Sequence, residues 1–157
     1  AYALERQLFD KGATVVLLDG STTCSGLSRE LDYSPADRAE NLRRVAHVSR
    51  ILNDQGIMVI CSYISPDEAI RQQVKDIIGA QRFKLIYMDA TLEFCQNNKP
   101  ELYEKSKKSE IHNLPGMDER FDVPSNADLV LKPENAAKNI AQLLDFLDNE
   151  GIFPLKA

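Results

Sequence analysis

Four short, unbroken apolar runs alternate with longer segments of helical period, and this alternation restricts the folds open to the chain more than any other feature. The runs are ATVVLLDG, IMVICSYIS, FKLIYMDA and ADLVLKP. Continuous apolar runs of this length suit strands covered on both faces. Strands that alternate with helices join in parallel through right-handed crossovers. The predicted architecture is a three-layer α/β domain, a parallel sheet flanked by helices. No repeat, low-complexity stretch or linker divides residues 1–157, which read as one domain. In such sheets ligands sit beyond the carboxyl ends of the strands. The places to examine are therefore those after Leu18, Tyr63, Met88 and Leu131.

The helices carry their own punctuation. AYALERQLFDKG is a helical pattern already under way at Ala1, with Leu4 and Leu8 on its apolar face and Gly12 as its cap. Ser34 is the N-cap of a helix running to Gly56, Pro35 suits its first position, and Asp37 makes a capping-box-like pattern. Its buried stripe is Leu42, Val45, Val48 or Ser49, and Leu52. Pro66 is expected to open a helix to about Ile78. TLEFCQNN reads as a short helix, and Ala136, Ile140, Leu143, Leu144 and Leu147 share the face of the last one.

A net charge of −5 argues against a generic nucleic-acid or anionic-membrane surface, while leaving room for a small anionic ligand held by local arginines. No apolar run has the length of a membrane span. Cys24, Cys61 and Cys95 are odd in number and widely spaced, as expected of reduced thiols in a cytoplasmic protein. His47 and His112 lie apart from each other and from the cysteines.

The stretch LLDGSTTCSGLSREL raises the functional question, because a carboxylate at the tip of an apolar strand is a common place for chemistry. LLDG and GLSREL, then YSPADRAENLRRV, ISP, LEFC and ELYEKSKKSEIHNLPGMDERFDVP follow in that order. The ordered set resembles the adenylylsulfate kinase family along essentially the whole chain. The family pattern reads roughly DGDNxRxGLNRDLGFSxxDRxENxRR, ISP and GLYKKARxGEIKNFTGIDxPYExP. The resemblance implies a P-loop kinase that uses Mg²⁺ and ATP to phosphorylate adenosine 5′-phosphosulfate on its 3′-hydroxyl, in sulfate assimilation. It also implies a homodimer and, as in some relatives, fusion to or association with an ATP sulfurylase.

By the same resemblance, AYALERQLF follows a phosphate-cradling loop, GxxxxGK(S/T), that is not in this sequence. The strand before that loop is central in the family's sheet. Without it, two unpaired inner edges and an exposed core are expected. An N-terminal piece of the natural protein is therefore expected to precede Ala1. The 157 residues by themselves are not expected to transfer phosphate.

Residue by residue, the resemblance gives Asp19 a place in the Mg²⁺ shell, through water. Ser21 stands in the catalytic position of a second acid, the family's base or orienting group. A serine takes up no proton at neutral pH, and losing a general base costs on the order of 10²–10⁴ in rate. Phosphoryl transfer, however, leans more on positioning and charge than on base strength. Thr22, Cys24 and Ser28 replace Asn, Arg and Asn.

Arg38 and Asn41, three apart near a helix N-terminus, match the substrate-binding DRxEN element. Arg43 and Arg44 read as a solvated face. Tyr33 matches an aromatic that packs on the substrate adenine. Ile64 and Ser65 retain the substrate edge of ISP, with Ser65 binding substrate or capping the next helix. Asp67 and Glu68 then reverse the family's local charge. Leu102 to Gly116 matches a lid, with Lys105 near its lysine and Leu114 in place of an adenine-contacting phenylalanine. Asn97 and Asn98 stand near the family's ATP-binding arginine–aspartate pair.

Three functions compete on these residues: the family's kinase activity, a kinase with a changed acceptor, and a nucleotide-binding or regulatory domain with impaired catalysis. The first is the reading adopted.

Overall fold

The computed structural model describes residues 1–152. Four strands are present among them: β1 (Val15–Asp19), β2 (Met58–Ser62), β3 (Ile86–Met88) and β4 (Leu129–Leu131). β1 pairs with β2 in parallel, from Val15 opposite Met58 to Asp19 opposite Ser62. β3 pairs with β4 in parallel, from Ile86 opposite Leu129 to Met88 opposite Leu131. The described residues thus form two parallel pairs rather than one continuous sheet.

Seven helices among the described residues connect and cover the strands: α1 (Tyr2–Asp10), α2 (Gly20–Ser25), α3 (Pro35–Asp54), α4 (Glu68–Ile78), α5 (Leu92–Asn98), α6 (Pro100–Lys107) and α7 (Ala136–Asn149). Side chains alternate faces along a strand, and the first pair shows this directly. Val15, Met58 and Ile60 pack against Leu4, Leu8 and Ala13, and Ile140, Leu143, Leu144 and Leu147 of α7 join the same cluster. On the opposite face, Ser49 of α3 meets Cys61 of β2, Oγ to Sγ 3.3 Å. Helices α1 and α7 therefore cover one face and α3 the other, which gives the three predicted layers. None of the described helices is long and apolar enough to cross a membrane.

The caps explain where the helices start. Ser34 Oγ accepts from the Asp37 N–H at 3.2 Å, as expected of an N-cap. The Asp37 carboxylate does not return to Ser34, however. It accepts from the Asp32 N–H at 3.0 Å, and Asp32 takes the Ser34 N–H at 2.6 Å. Helix α3 ends at Asp54, and Gly56, just past its cap Gln55, has a φ of +76° that side chains disfavour.

Pro66 does not open α4. Asp67 does, accepting from Ala69 and Ile70 N–H at 2.7 and 3.2 Å. A carboxylate that can take two free N–H groups defines the boundary better than the proline before it.

Replacing Ser34 by alanine is expected to cost about 1 kcal/mol, because it strips one acceptor from an otherwise preserved cap. For a chain of this size that lowers the melting temperature by roughly 2–4 °C. Thermal unfolding checks it, and an unchanged midpoint would show that the Asp32 and Asp37 bonds suffice.

Candidate functional site at the carboxyl end of the first strand pair

Asp19 closes β1 and caps α2. Residues Ser21 to Ser25 are thus not an open loop but part of a short helix. Their small hydroxyl side chains favour caps and turns, and a strand-end aspartate supplies the missing acceptor. Oδ1 of Asp19 accepts from Ser21 Oγ at 2.7 Å, the Thr22 N–H at 3.0 Å and Thr22 Oγ1 at 3.2 Å. Oδ2 accepts from the Tyr2 hydroxyl at 2.6 Å. These bonds, Tyr2 first and then Ser21, hold the carboxyl well below the usual carboxylate range. The same contact raises the Tyr2 phenol. Ser21 therefore acts as a donor to Asp19 in this structure.

Behind this cluster, buried Thr23 bonds to the Asp19 carbonyl at 3.1 Å and to the Tyr63 hydroxyl at 2.8 Å. Burial pushes the Tyr63 phenol up to about 12. Tyr63 is thus neutral at physiological pH and joins the ends of β1 and β2 by a hydrogen bond. Cys24 is exposed on α2 as a free thiol.

The start of α3 brings three of the predicted substrate residues together. Tyr33 is exposed beside the cap, and its carbonyl accepts from Arg38 at 3.3 Å. Arg38 pairs with Glu119 and donates to the Asn113 carbonyl at 2.7 Å. Asn41 keeps Oδ1 buried without a hydrogen-bond partner. A buried acceptor left unpaired costs free energy, so this atom calls for a donor from a bound molecule or water. Arg44 is not a merely solvated residue. It pairs with Glu30 at 2.5 Å and Glu40 at 2.8 Å, and donates to the Leu27 carbonyl at 2.9 Å. It thereby fastens the turn after α2 onto α3.

The ISP edge is built differently from expectation. Ile64 is exposed. The Ser65 carbonyl accepts from Arg71 at 2.6 Å, and Asp67 takes the capping role. Arg71 is 4% exposed. It also pairs with Glu68 at 2.5 Å and donates to the Asp122 carbonyl at 2.7 Å. The added acids after ISP are thus absorbed, Asp67 by its cap and Glu68 by Arg71, rather than left as a free negative patch.

The segment matched to a lid comprises α6 and a tight turn. Lys105 is exposed on α6 and has no ion-pair partner among the described residues. Asp118 organises the turn by accepting from the N–H groups of Asn113 at 2.7 Å and Leu114 at 2.6 Å. Leu114 is buried inside it, so the expected apolar contact with an adenine is not offered in this conformation.

Asn97 and Asn98 lie exposed in the last turn of α5, which follows β3. At the ends of β3 and β4, Asp89 pairs with Lys132. Tyr2, Tyr63, Arg71, Asp118 and Glu119 escaped the reading of the sequence. Only Asp118, after Pro115-Gly116, carried a local turn signal.

Among the described residues no three His, Cys, Asp or Glu side chains converge as a metal cage. One ionised carboxylate whose Oδ2 accepts from Tyr2 alone fits a water-mediated hold on Mg²⁺, which keeps several waters and relies on substrate phosphates.

Parallel strands between helical layers, with polar side chains gathered beyond the strands' carboxyl ends, are the architecture of the open α/β folds that bind ligands at that edge. The model of the adenylylsulphate kinase family matches residues 1–132, and the chain belongs to that family. It is 40% identical over 97% of its length to an adenylyl-sulfate kinase of Erwinia tasmaniensis, covering 77% of that protein. It is 38% identical over 97% of its length to an adenylyl-sulfate kinase of Yersinia pestis, covering 72% of that protein. It superposes on the Mycobacterium tuberculosis APS kinase CysC, solved in complex with AMPPNP and APS, with a TM-score of 0.88 and 35% identity. That match covers 94% of this chain and 88% of the mycobacterial one.

Proposed function

We propose that the protein transfers the terminal phosphoryl group of ATP, with Mg²⁺, to the 3′-hydroxyl of adenosine 5′-phosphosulfate. The observation that carries this reading is the start of α3. Arg38 and the unpartnered buried Oδ1 of Asn41 stand three residues apart on one helix, beside exposed Tyr33. A cationic fork, an acceptor lacking a donor and an aromatic face suit an anionic nucleotide. Family membership and the nucleotide complex of the mycobacterial relative support the same substrates.

Mg²⁺, when bound, would neutralise charge developing on the transferring phosphoryl group. Asp19 would hold the ion's water shell, since its carboxyl stays ionised. Ser21 orients Asp19 instead of removing a proton, so the acceptor hydroxyl depends on alignment more than on a strong base. Lys105 and the Asn97–Asn98 turn are the lid and ATP-side groups of the proposal. Pairing as a homodimer and supply of substrate by an ATP sulfurylase complete the reading, on the strength of the family resemblance.

The test is ADP release by the whole protein with and without adenosine 5′-phosphosulfate. Release that depends on this substrate is expected. Binding of ATP with no substrate-dependent release would defeat the proposal.

A further inference from the structure

The guanidinium expected to receive the substrate anion already has a carboxylate. Arg38 and Glu119 lie 81 positions apart in sequence, and their side chains are only 12% and 19% exposed. The carbonyls of Asn113 and Tyr33 take further Arg38 donors. Glu119 is not on a loose arm. Its N–H donates to the Leu114 carbonyl at 3.3 Å, and its carbonyl accepts from Gly116 at 2.8 Å. Asp118 and buried Leu114 fix the same turn. The chain thus holds a carboxylate against its own anion-binding arginine, on a part of the lid that must shift before another anion can take that place.

We propose that Glu119 is a specificity-determining residue, a built-in carboxylate in the anion site of Arg38 that an incoming nucleotide must displace. The inference rests on the proposed function for the identity of that nucleotide. Displacement favours ligands with more than one strong acceptor, because a single weak acceptor gains little over the resident pair. It also ties acceptor binding to the 113–119 turn, since the pair and the bond to the Asn113 carbonyl are how Arg38 holds that turn to α3. A partly buried charge is costly to leave alone, so Glu119 departs only when the ligand satisfies Arg38.

The experiment is calorimetric titration of the whole protein with adenosine 5′-phosphosulfate, after thermal unfolding has verified each variant's fold. Glu119→Gln should bind about tenfold more tightly, within the usual range for coupled events in one protein. Arg38→Gln should weaken binding and erase that gain when the two are combined. Unchanged or weaker binding by folded Glu119→Gln, or a gain that survives Arg38→Gln, overturns the proposal. Should Glu119→Gln fail to fold, Glu119→Asp withdraws the carboxylate by one methylene. A smaller gain is then expected, and no gain overturns the idea. If no variant binds the nucleotide, the substrate reading falls and inorganic pyrophosphate decides the latch separately. A gain on Glu119→Gln that Arg38→Gln removes upholds it, and no gain overturns it.

Discussion

Replacing Asp19 by asparagine should lower kcat about 10–100-fold, the usual cost of losing an outer-shell partner of a catalytic metal. The Mg²⁺ concentration giving half-maximal rate should rise with it. Asparagine is chosen because it is as good an N-cap as aspartate. Its side-chain oxygen can still accept from the Thr22 N–H, so α2 should form and stability should fall less than in Asp19→Ala. The charge is what the substitution removes. Turnover at the unsubstituted rate, with no change in Mg²⁺ dependence, would reduce Asp19 to a cap.

The pH behaviour separates the two roles further. The carboxyl is depressed in the folded chain, so its contribution to stability is fully present above the unfolded value of about 3.9 and fades as pH falls through the folded one. The stability difference between the protein and Asp19→Asn should be constant near neutrality and shrink in acid below about pH 4. Any loss of activity between pH 5 and 7 must then come from another group.

What the sequence revealed follows the range of the interactions. Strand positions and the cap at Ser34 were legible because they depend on neighbouring residues: an unbroken apolar run, or a serine followed by proline. The layering followed from the parallel alternation. One local error has a local cause. Pro66 and Asp67 compete for one boundary, and the residue with an acceptor won.

The family pattern reached the candidate site only residue by residue, at positions such as Asp19, Arg38 and Asn41. The contacts that set its present state join residues far apart in sequence. Tyr2 meets Asp19, Thr23 meets Tyr63, and Arg38 meets Glu119. No period or spacing predicts such pairs. The last of these alters a reading based on one residue alone, since Arg38 is an arginine already engaged.

Arg71→Met should be the most destabilising single change at the site, by about 3 kcal/mol, the loss expected when charge-assisted bonds to buried groups are removed. The guanidinium joins three elements at once. Its Nη1 reaches the Ser65 carbonyl, Nη2 the Asp122 carbonyl, and Nε and Nη2 reach Glu68. It also lies 5.9 Å from the centre of the Phe121 ring, and that ring stacks on Tyr87 of β3. Methionine keeps most of the volume and the apolar stem, so packing alone does not account for the loss. The Ser65 and Asp122 carbonyls lose their charged donor. Glu68 is half exposed and can turn to water, which keeps the cost below that of stranding a buried charge.

In a chain of this size, about 3 kcal/mol lowers the melting temperature by roughly 6–12 °C. Arg71→Lys should rescue little, because one ammonium cannot reproduce a planar fork bonded at three nitrogens. Kinetics distinguish this role from a purely structural one. Arg71 fixes Ile64 to Pro66 against the segment at Asp122. Its loss should therefore raise KM for the acceptor nucleotide while leaving KM for ATP nearly unchanged, at temperatures where the variant is folded. Equal rises in both would mean that Arg71 supports the whole fold and not the acceptor edge.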